Sequence, residues 1–217
     1  EAEETSNIFG QLKIAQSENY PAHLNQYPVI YIDFSEIPEN CVSYREYISR
    51  VLEGLKQDLS EAFPEIVTDT GISVWDILKQ VFRKAGKKFV FVIDEWDSIF
   101  HMSFITEEDK KAYLLFLKSL LKDKAYVKFV YMTGVLPIAK YSSGSELNMF
   151  VEYDMTVMER FSDCFGFVEK EVDRLFDIYL QTTKGPKITR KDLEVWYDGY
   201  YTAAGERLYN PRSVVCA

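Results

Sequence analysis

Cysteine and histidine are scarce in this 217-residue chain, which has three cysteines (Cys41, Cys164 and Cys216) and two histidines (His23 and His101). The cysteines stand too far apart for a zinc motif and are too few for a disulfide framework, so they read as the reduced thiols of a cytoplasmic protein. His101 reads as a surface or packing residue and is assigned no role. No stretch approaches the roughly 20 apolar residues that a membrane-spanning helix needs, which excludes a membrane partner of that kind. A positive charge balance is lacking too, with 25 Lys and Arg against 34 Asp and Glu. The formal net charge is -9, and nucleic-acid binding needs clustered Lys and Arg, so direct nucleic-acid binding by this segment is not expected. One local cluster, Lys184, Lys187, Arg190 and Lys191 around Gly185-Pro186, reads as a solvated loop that begins a helix. Internal repeats and low-complexity tracts are missing as well. So is any loop of the form G-x-x-x-x-G-K-[ST] that could cradle a phosphate. The nearest imitation, Gly86-Lys87-Lys88, lacks the earlier Gly and the hydroxyl and leads into a strand. It reads instead as a glycine C-cap followed by strand-end lysines.

What is present is an apolar chain, 47% hydrophobic, long enough for one α/β domain and a small helical extension. Its most informative stretch is Phe89-Val90-Phe91-Val92-Ile93-Asp94-Glu95-Trp96-Asp97. Five consecutive apolar residues behind Lys87 and Lys88 predict a strand buried on both faces, as in the middle of a parallel sheet. A first strand is predicted at Tyr27 to Phe34. Between the two, Tyr47, Ile48, Val51, Leu52, Leu55 and Leu59 recur at helical spacing behind a Ser43/Glu46 capping box. Ser73 caps a second helix through Val74, Ile77, Leu78, Val81 and Phe82, ending at Gly86.

Beyond the Asp-Glu strand, Thr106 followed by Glu107, Glu108 and Asp109 makes another capping box, and Leu114, Leu115, Leu117, Leu120 and Leu121 supply the apolar face of its helix. A second buried strand is predicted at Val127 to Met132, ending in Thr133-Gly134. A further strand is predicted near Phe150 to Met155. Helices follow at Glu169 to Leu180 and Ile188 to Tyr200, and a short hairpin turns about Ala204-Gly205. The parallel-sheet pattern gives way to helices near residue 157.

Parallel sheets place their chemistry at the carboxyl ends of their strands. An acidic pair at that edge can divide the work on a phosphate: Asp94 helps to hold Mg²⁺ while Glu95 orients or deprotonates an attacking water. Acidic residues also end ordinary strands for solubility and turn formation, so the pair acquires meaning from its neighbours. Thr133, at the tip of the next strand, is either a plain strand-ending hydroxyl or a polar group aimed at the same phosphate. Asp97 reads as a helix or turn cap.

A set of segments along nearly the whole chain resembles, in order, the bacterial AAA-ATPase-like family, whose members often carry a PD-(D/E)XK nuclease-like domain after the ATPase. They are Ile8 to Ile14, Tyr27-Pro28-Val29-Ile30-Tyr31, Val92 to Asp97, Tyr131-Met132-Thr133-Gly134-Val135, Gly166-Phe167 with Glu169 and Glu171-Val172, Trp196-Tyr197-Asp198-Gly199-Tyr200, and Tyr209-Asn210-Pro211. The departures are Trp96 for the family's Tyr, Val168 for Thr, Arg212 for Trp, and a changed stretch at Ser143 to Asn148. The family's Arg near Leu136 to Lys140 is missing, and Lys140 can offer a point charge there but no planar fork. The aromatic motifs of the last third, Trp196 to Tyr200 and Tyr209 to Pro211, read as packing anchors.

The resemblance implies a three-layer P-loop NTPase-like parallel sheet with helices on both faces, lacking its N-terminal strand and phosphate-loop (Walker A) unit, over residues 1–156. Residues 157–217 would form a helical lid. It implies ATP and Mg²⁺ as substrate and cofactor of the full-length protein, with Asp94 as the Walker B metal-site residue acting through a coordinated water. Glu95 would be the catalytic base and Thr133 the sensor of the γ-phosphate. The fragment alone is expected to be inactive, because the phosphate loop would lie just before residue 1. A homo-oligomer or a protein partner remains open. So does a second reading, a degenerate ATPase fold used as a non-catalytic interaction or regulatory module. A nuclease reading would need an E-x-K on an adjoining strand, and the acidic-lysine pairs here fall on predicted helices.

Overall fold

A computed structural model describes residues 6–69, 71–138, 147–153, 160–161, 164–202 and 204–217. The chain divides into two compact units, 1–150 and 151–217. The change of pattern expected near residue 157 falls within 154–159, outside the described residues, as do Lys140 and the stretch 143–146.

The first unit begins with short helical turns, α1 (Ser6–Phe9), a 3₁₀ turn (Lys13–Gln16) and α2 (Tyr20–His23), followed by β1 (Val29–Asp33), α3 (Tyr44–Ala62), α4 (Val74–Ala85), β2 (Phe89–Asp94), a 3₁₀ turn (Ser98–His101), α5 (Glu107–Leu121) and β3 (Val127–Met132). The helix starts follow the capping chemistry of the sequence. Ser43 Oγ accepts the Glu46 N–H at 3.3 Å, although Glu46 returns its carboxylate to the Val42 N–H and not to its own N-cap residue. Ser73 Oγ accepts the Asp76 N–H, and Thr106 and Asp109 complete a reciprocal capping box. Gly86 ends α4 in the left-handed region at φ 65°, where a residue without Cβ adopts the turn at no steric cost.

All three strands are parallel, in the order β1-β2-β3. Val29 and Tyr31 pair with Val90 and Val92, which pair with Phe129 and Tyr131. Ile30 and Ile32 pair with Phe91 and Ile93, which pair with Val130 and Met132. Period-two alternation puts these sets on opposite faces. Ile30, Ile32, Phe89, Phe91 and Ile93 are buried with Leu55, Leu59, Ile77, Leu78, Val81, Tyr113, Leu117 and Leu120 of α3, α4 and α5 in one continuous core. Because strand order follows chain order, crossovers of the same hand put all the connecting helices on that one side. On the other side Val29, Tyr31, Phe129 and Tyr131 are exposed, and Val90 and Val92 are half-buried. The expectation of helices on both faces is therefore met on one face only among the described residues, and β2 is fully buried on that face alone. β3, expected to be buried, is half-buried or exposed along its length, because it ends the strand order and pairs on one side only among the described residues.

The second unit holds β4 (Phe167–Val168), α6 (Glu169–Thr182), α7 (Arg190–Tyr197), β5 (Asp198–Tyr201), β6 (Arg207–Tyr209) and α8 (Pro211–Cys216). Its strands form an antiparallel sheet in the order β4-β6-β5, so it is a mixed α and β unit and not the helical element expected. The helix expected to run to Tyr200 stops at Tyr197, and the hairpin begins in its place. Residues 151–153 carry no strand, and residues 154–155 lie outside the described residues.

A small core of Val172, Leu193, Tyr209 and Val214 holds this unit together. Arg190 stands over the Tyr209 ring and pairs with Glu169 and Asp173, each at 2.6 Å. Asn210 caps α8 through the Ser213 N–H, with Pro211 in the first turn. The expected packing role therefore holds for Tyr197 and Tyr209, whereas Asn210 and Pro211 are exposed and serve the start of α8. Trp196 is 76% exposed.

Candidate functional site at the carboxyl edge of the parallel sheet

Asp94 is the last residue of β2, and alternation places it on the same face as Val90 and Val92, the one that no described helix covers. Two hydroxyls reach it from the flanking strands. The Thr133 Oγ1, just past β3, donates to Asp94 Oδ1, and the Tyr31 hydroxyl of β1 donates to Oδ2 at 3.1 Å. The Asp94 carboxyl is held below its usual range. The Thr133 hydroxyl is the largest cause, partial burial opposes it, and the Tyr31 hydroxyl and the Glu95 amide add to it. Tyr31 is correspondingly pushed above its ordinary value, chiefly by its bond to Asp94.

Glu95 follows with φ 50°, a left-handed conformation unusual for a residue with a side chain. Its N–H donates to Thr133 Oγ1 at 3.4 Å, so one hydroxyl bridges both acidic residues. Among the described residues, the Glu95 carboxylate takes part in no hydrogen bond or ion pair. Backbone strain of this kind concentrates at functional turns.

The Asp-Glu turn and the loop after β3 are joined further along. The Trp96 N–H donates to the Thr133 carbonyl at 3.0 Å, and the Tyr113 hydroxyl of α5 donates to the Trp96 carbonyl at 2.7 Å. Asp97 makes no side-chain bond to the 3₁₀ turn it precedes. Its carboxylate accepts the backbone N–H groups of Val135 and Leu136. The local helix or turn cap expected of Asp97 is therefore not made, and its carboxylate serves the loop after β3 instead. Gly134 permits the approach, because a Cβ there would overlap the Asp97 carboxylate and the Trp96 indole. Asp33, the register partner of Asp94 on β1, is engaged by the Ser35 N–H at 2.7 Å.

A family model described as AAA-ATPase-like, Predicted AAA-ATPase, matches residues 1–143. The chain belongs to the AAA-ATPase-like family. No curated protein and no solved structure matches it.

The AAA-ATPase-like chain thus brings together the three residues expected from its sequence, Asp94, Glu95 and Thr133, at one edge of its sheet. Tyr31 and the Asp97-Gly134 contact were not anticipated. Asp97 stands three residues past Asp94 and Gly134 directly follows Thr133, but neither spacing shows by itself that the two meet. Tyr31 reaches Asp94 only because the register of β1 on β2 puts it on the diagonal. No group of three or more His, Cys, Asp or Glu residues that could hold a metal occurs among the described residues. Mg²⁺ often takes only one or two carboxylates from the protein and completes its shell with water and substrate phosphates. Asp94, whose two oxygens already accept from Thr133 and Tyr31, would meet such an ion through a coordinated water. No helix among the described residues is long and apolar enough to cross a membrane.

Proposed function

We propose that this chain supplies the metal-site and catalytic edge of an ATP-hydrolysing domain. The observation that carries the reading is the Thr133 hydroxyl bridging Asp94 and the Glu95 amide at the carboxyl edge of a parallel sheet. Asp94, kept ionised by two hydroxyl donors, would hold Mg²⁺ through a coordinated water. That ion supplies charge neutralisation at the β- and γ-phosphates when nucleotide is bound. Glu95 presents a carboxylate uncommitted among the described residues and accepts the proton of the attacking water. Thr133 ties the base-bearing turn to the metal-site acid, so its hydroxyl is placed to respond when a phosphate replaces one of its partners. Phosphate-binding amides are not encoded by a G-x-x-x-x-G-K-[ST] loop in these residues. The proposed activity is therefore that of the intact protein.

The test is Glu95→Gln in the intact protein. Turnover of ATP is expected to fall by about 10²- to 10⁴-fold, the usual contribution of a general base, while ATP binding measured by calorimetry or filter retention is kept. Hydrolysis unchanged by Glu95→Gln would overturn the assignment. The missing phosphate-loop motif favours one alternative, a fold that serves as a non-catalytic interaction module. Its signature is an intact wild-type protein that neither binds nor hydrolyses ATP.

A further inference from the structure

Asp97 is 2% exposed, a rare state for a carboxylate. Among the hydrogen bonds described for it, its two oxygens take the Val135 N–H at 3.2 and 3.1 Å and the Leu136 N–H at 2.7 Å. Burial on this scale is tolerated when the charge is met by well-placed donors, and here the donors are two amides of the loop leaving β3. Thr133 is thereby held from both sides. Its own N–H donates to the Ile93 carbonyl at 2.9 Å from within the sheet, and Asp97 fixes residues 135 and 136 beyond it.

The contact surfaces leave no slack. Gly134 lies directly against the Asp97 carboxylate and the Trp96 ring, which is itself buried and set edge-on to Phe100 at 5.4 Å. The Asp-Glu turn and the post-β3 loop are consequently linked through each of residues 94, 95, 96 and 97.

We propose that Asp97 is a positioning residue that clamps the loop after β3 onto the Asp-Glu turn and so fixes the Thr133 hydroxyl relative to Asp94 and Glu95. Its catalytic consequence rests on the nucleotide reading above. The clamp itself does not, because the bonds that make it involve no ligand. Loss of the carboxylate removes the acceptor for two loop amides, so the loop swings on Thr133 and the hydroxyl loses its fixed angle. Asn at this position keeps one carbonyl acceptor in the same place and retains part of the clamp.

The test uses the intact protein with Asp97→Ala, Asp97→Asn and Gly134→Ala, read by steady-state ATP turnover, hydrogen exchange and thermal unfolding. Asp97→Ala is expected to lower kcat by about 10- to 100-fold, the range for misplacement of a catalytic group, with KM within about threefold. Asp97→Asn should recover a large part of that loss. Gly134→Ala should reproduce the defect from the other side, and the Asp97→Ala/Gly134→Ala double variant should be no worse than the more damaged single one. Hydrogen exchange should quicken together over residues 94–97 and 133–136. A kcat within twofold of wild type in Asp97→Ala would overturn the proposal. So would losses of kcat that follow the unfolded fraction, without rescue by Asn. If the wild-type protein shows no turnover, the nucleotide reading has failed on its own account and exchange decides the clamp. Faster exchange in both segments supports it, and unchanged exchange at 133–136 overturns it.

Discussion

The two faces of the parallel sheet are built from the same kinds of residue and meet different fates. Phe91 on one face is fully buried under α3, α4 and α5, and Phe129 on the other is 58% exposed. The strand of Phe91 reads as an unbroken apolar run, and that of Phe129 is broken only by Lys128. The difference lies in topology, since a sheet whose strands follow chain order receives its crossovers on one side. It teaches where the chemistry sits. Asp94, Tyr31 and Thr133 meet on the open face, next to apolar side chains that no described segment covers, and the covered face supplies the rigidity behind them.

The largest effect expected from this contrast is on stability. Phe91→Ala should cost about 3–5 kcal/mol, the usual loss for deleting a fully buried aromatic ring. Phe129→Ala should stay within about 0.5 kcal/mol, as for surface substitutions away from packed features. Denaturant unfolding of both variants reads the difference directly. A loss at Phe129 that matches Phe91 would show that the two faces are equally covered in solution and would end the comparison.

A smaller effect should appear where the packed face reaches the site. Tyr113 is fully buried, and its hydroxyl satisfies the Trp96 carbonyl inside the Asp-Glu turn. Burial pushes this phenol well above its ordinary pKa, so it remains a donor at any working pH. Tyr113→Phe keeps the ring and leaves that carbonyl without its donor, at a cost of about 1–3 kcal/mol. Chemical denaturation should show the loss, with quicker hydrogen exchange at residues 95–97. A neutral substitution would mean that another donor serves the turn.

Much of the first unit was legible because its signals are local. Ser43, Ser73 and Thr106 sit where a hydroxyl can take an orphan amide, Gly86 sits where φ must turn positive, and the apolar run at 89–93 and the largely apolar β-branched and aromatic stretch at 127–132 read as strands. The triad of Asp94, Glu95 and Thr133 could be read for the same reason: each ends, or directly follows, a strand whose limits the pattern defines. The parts that escaped are set by register and by long-range packing. Tyr31 touches Asp94 across a strand pairing that no residue of β1 announces. Asp97 looks like an ordinary turn residue until the loop 38 positions later folds onto it. In the second unit the helix expected to continue through Asp198-Gly199-Tyr200 gives way to a strand, because β6 offers those residues a ladder that helical periodicity cannot foresee.

The finest test of the open face is its acid titration. Asp94 titrates below its unfolded value of about 3.9, because the folded state bonds its ionised form. Its contribution to stability is therefore fully present above that unfolded value and is lost as pH falls through the folded one, so the window lies on the acid side of about pH 4. Thr133 is the larger cause and Tyr31 the smaller. Removing the Thr133 hydroxyl with Thr133→Val should raise the Asp94 pKa toward the unfolded value more than Tyr31→Phe does, as followed by carboxyl carbon chemical shifts. Each variant should also narrow the range over which stability still rises with pH. If Tyr31→Phe moves Asp94 further than Thr133→Val, the carboxylate is held mainly from β1, and the pairing of the acid with the loop after β3 is not what keeps it ionised. If neither substitution moves it, the hydroxyls are spectators and the open face carries no more organisation than its exposure implies.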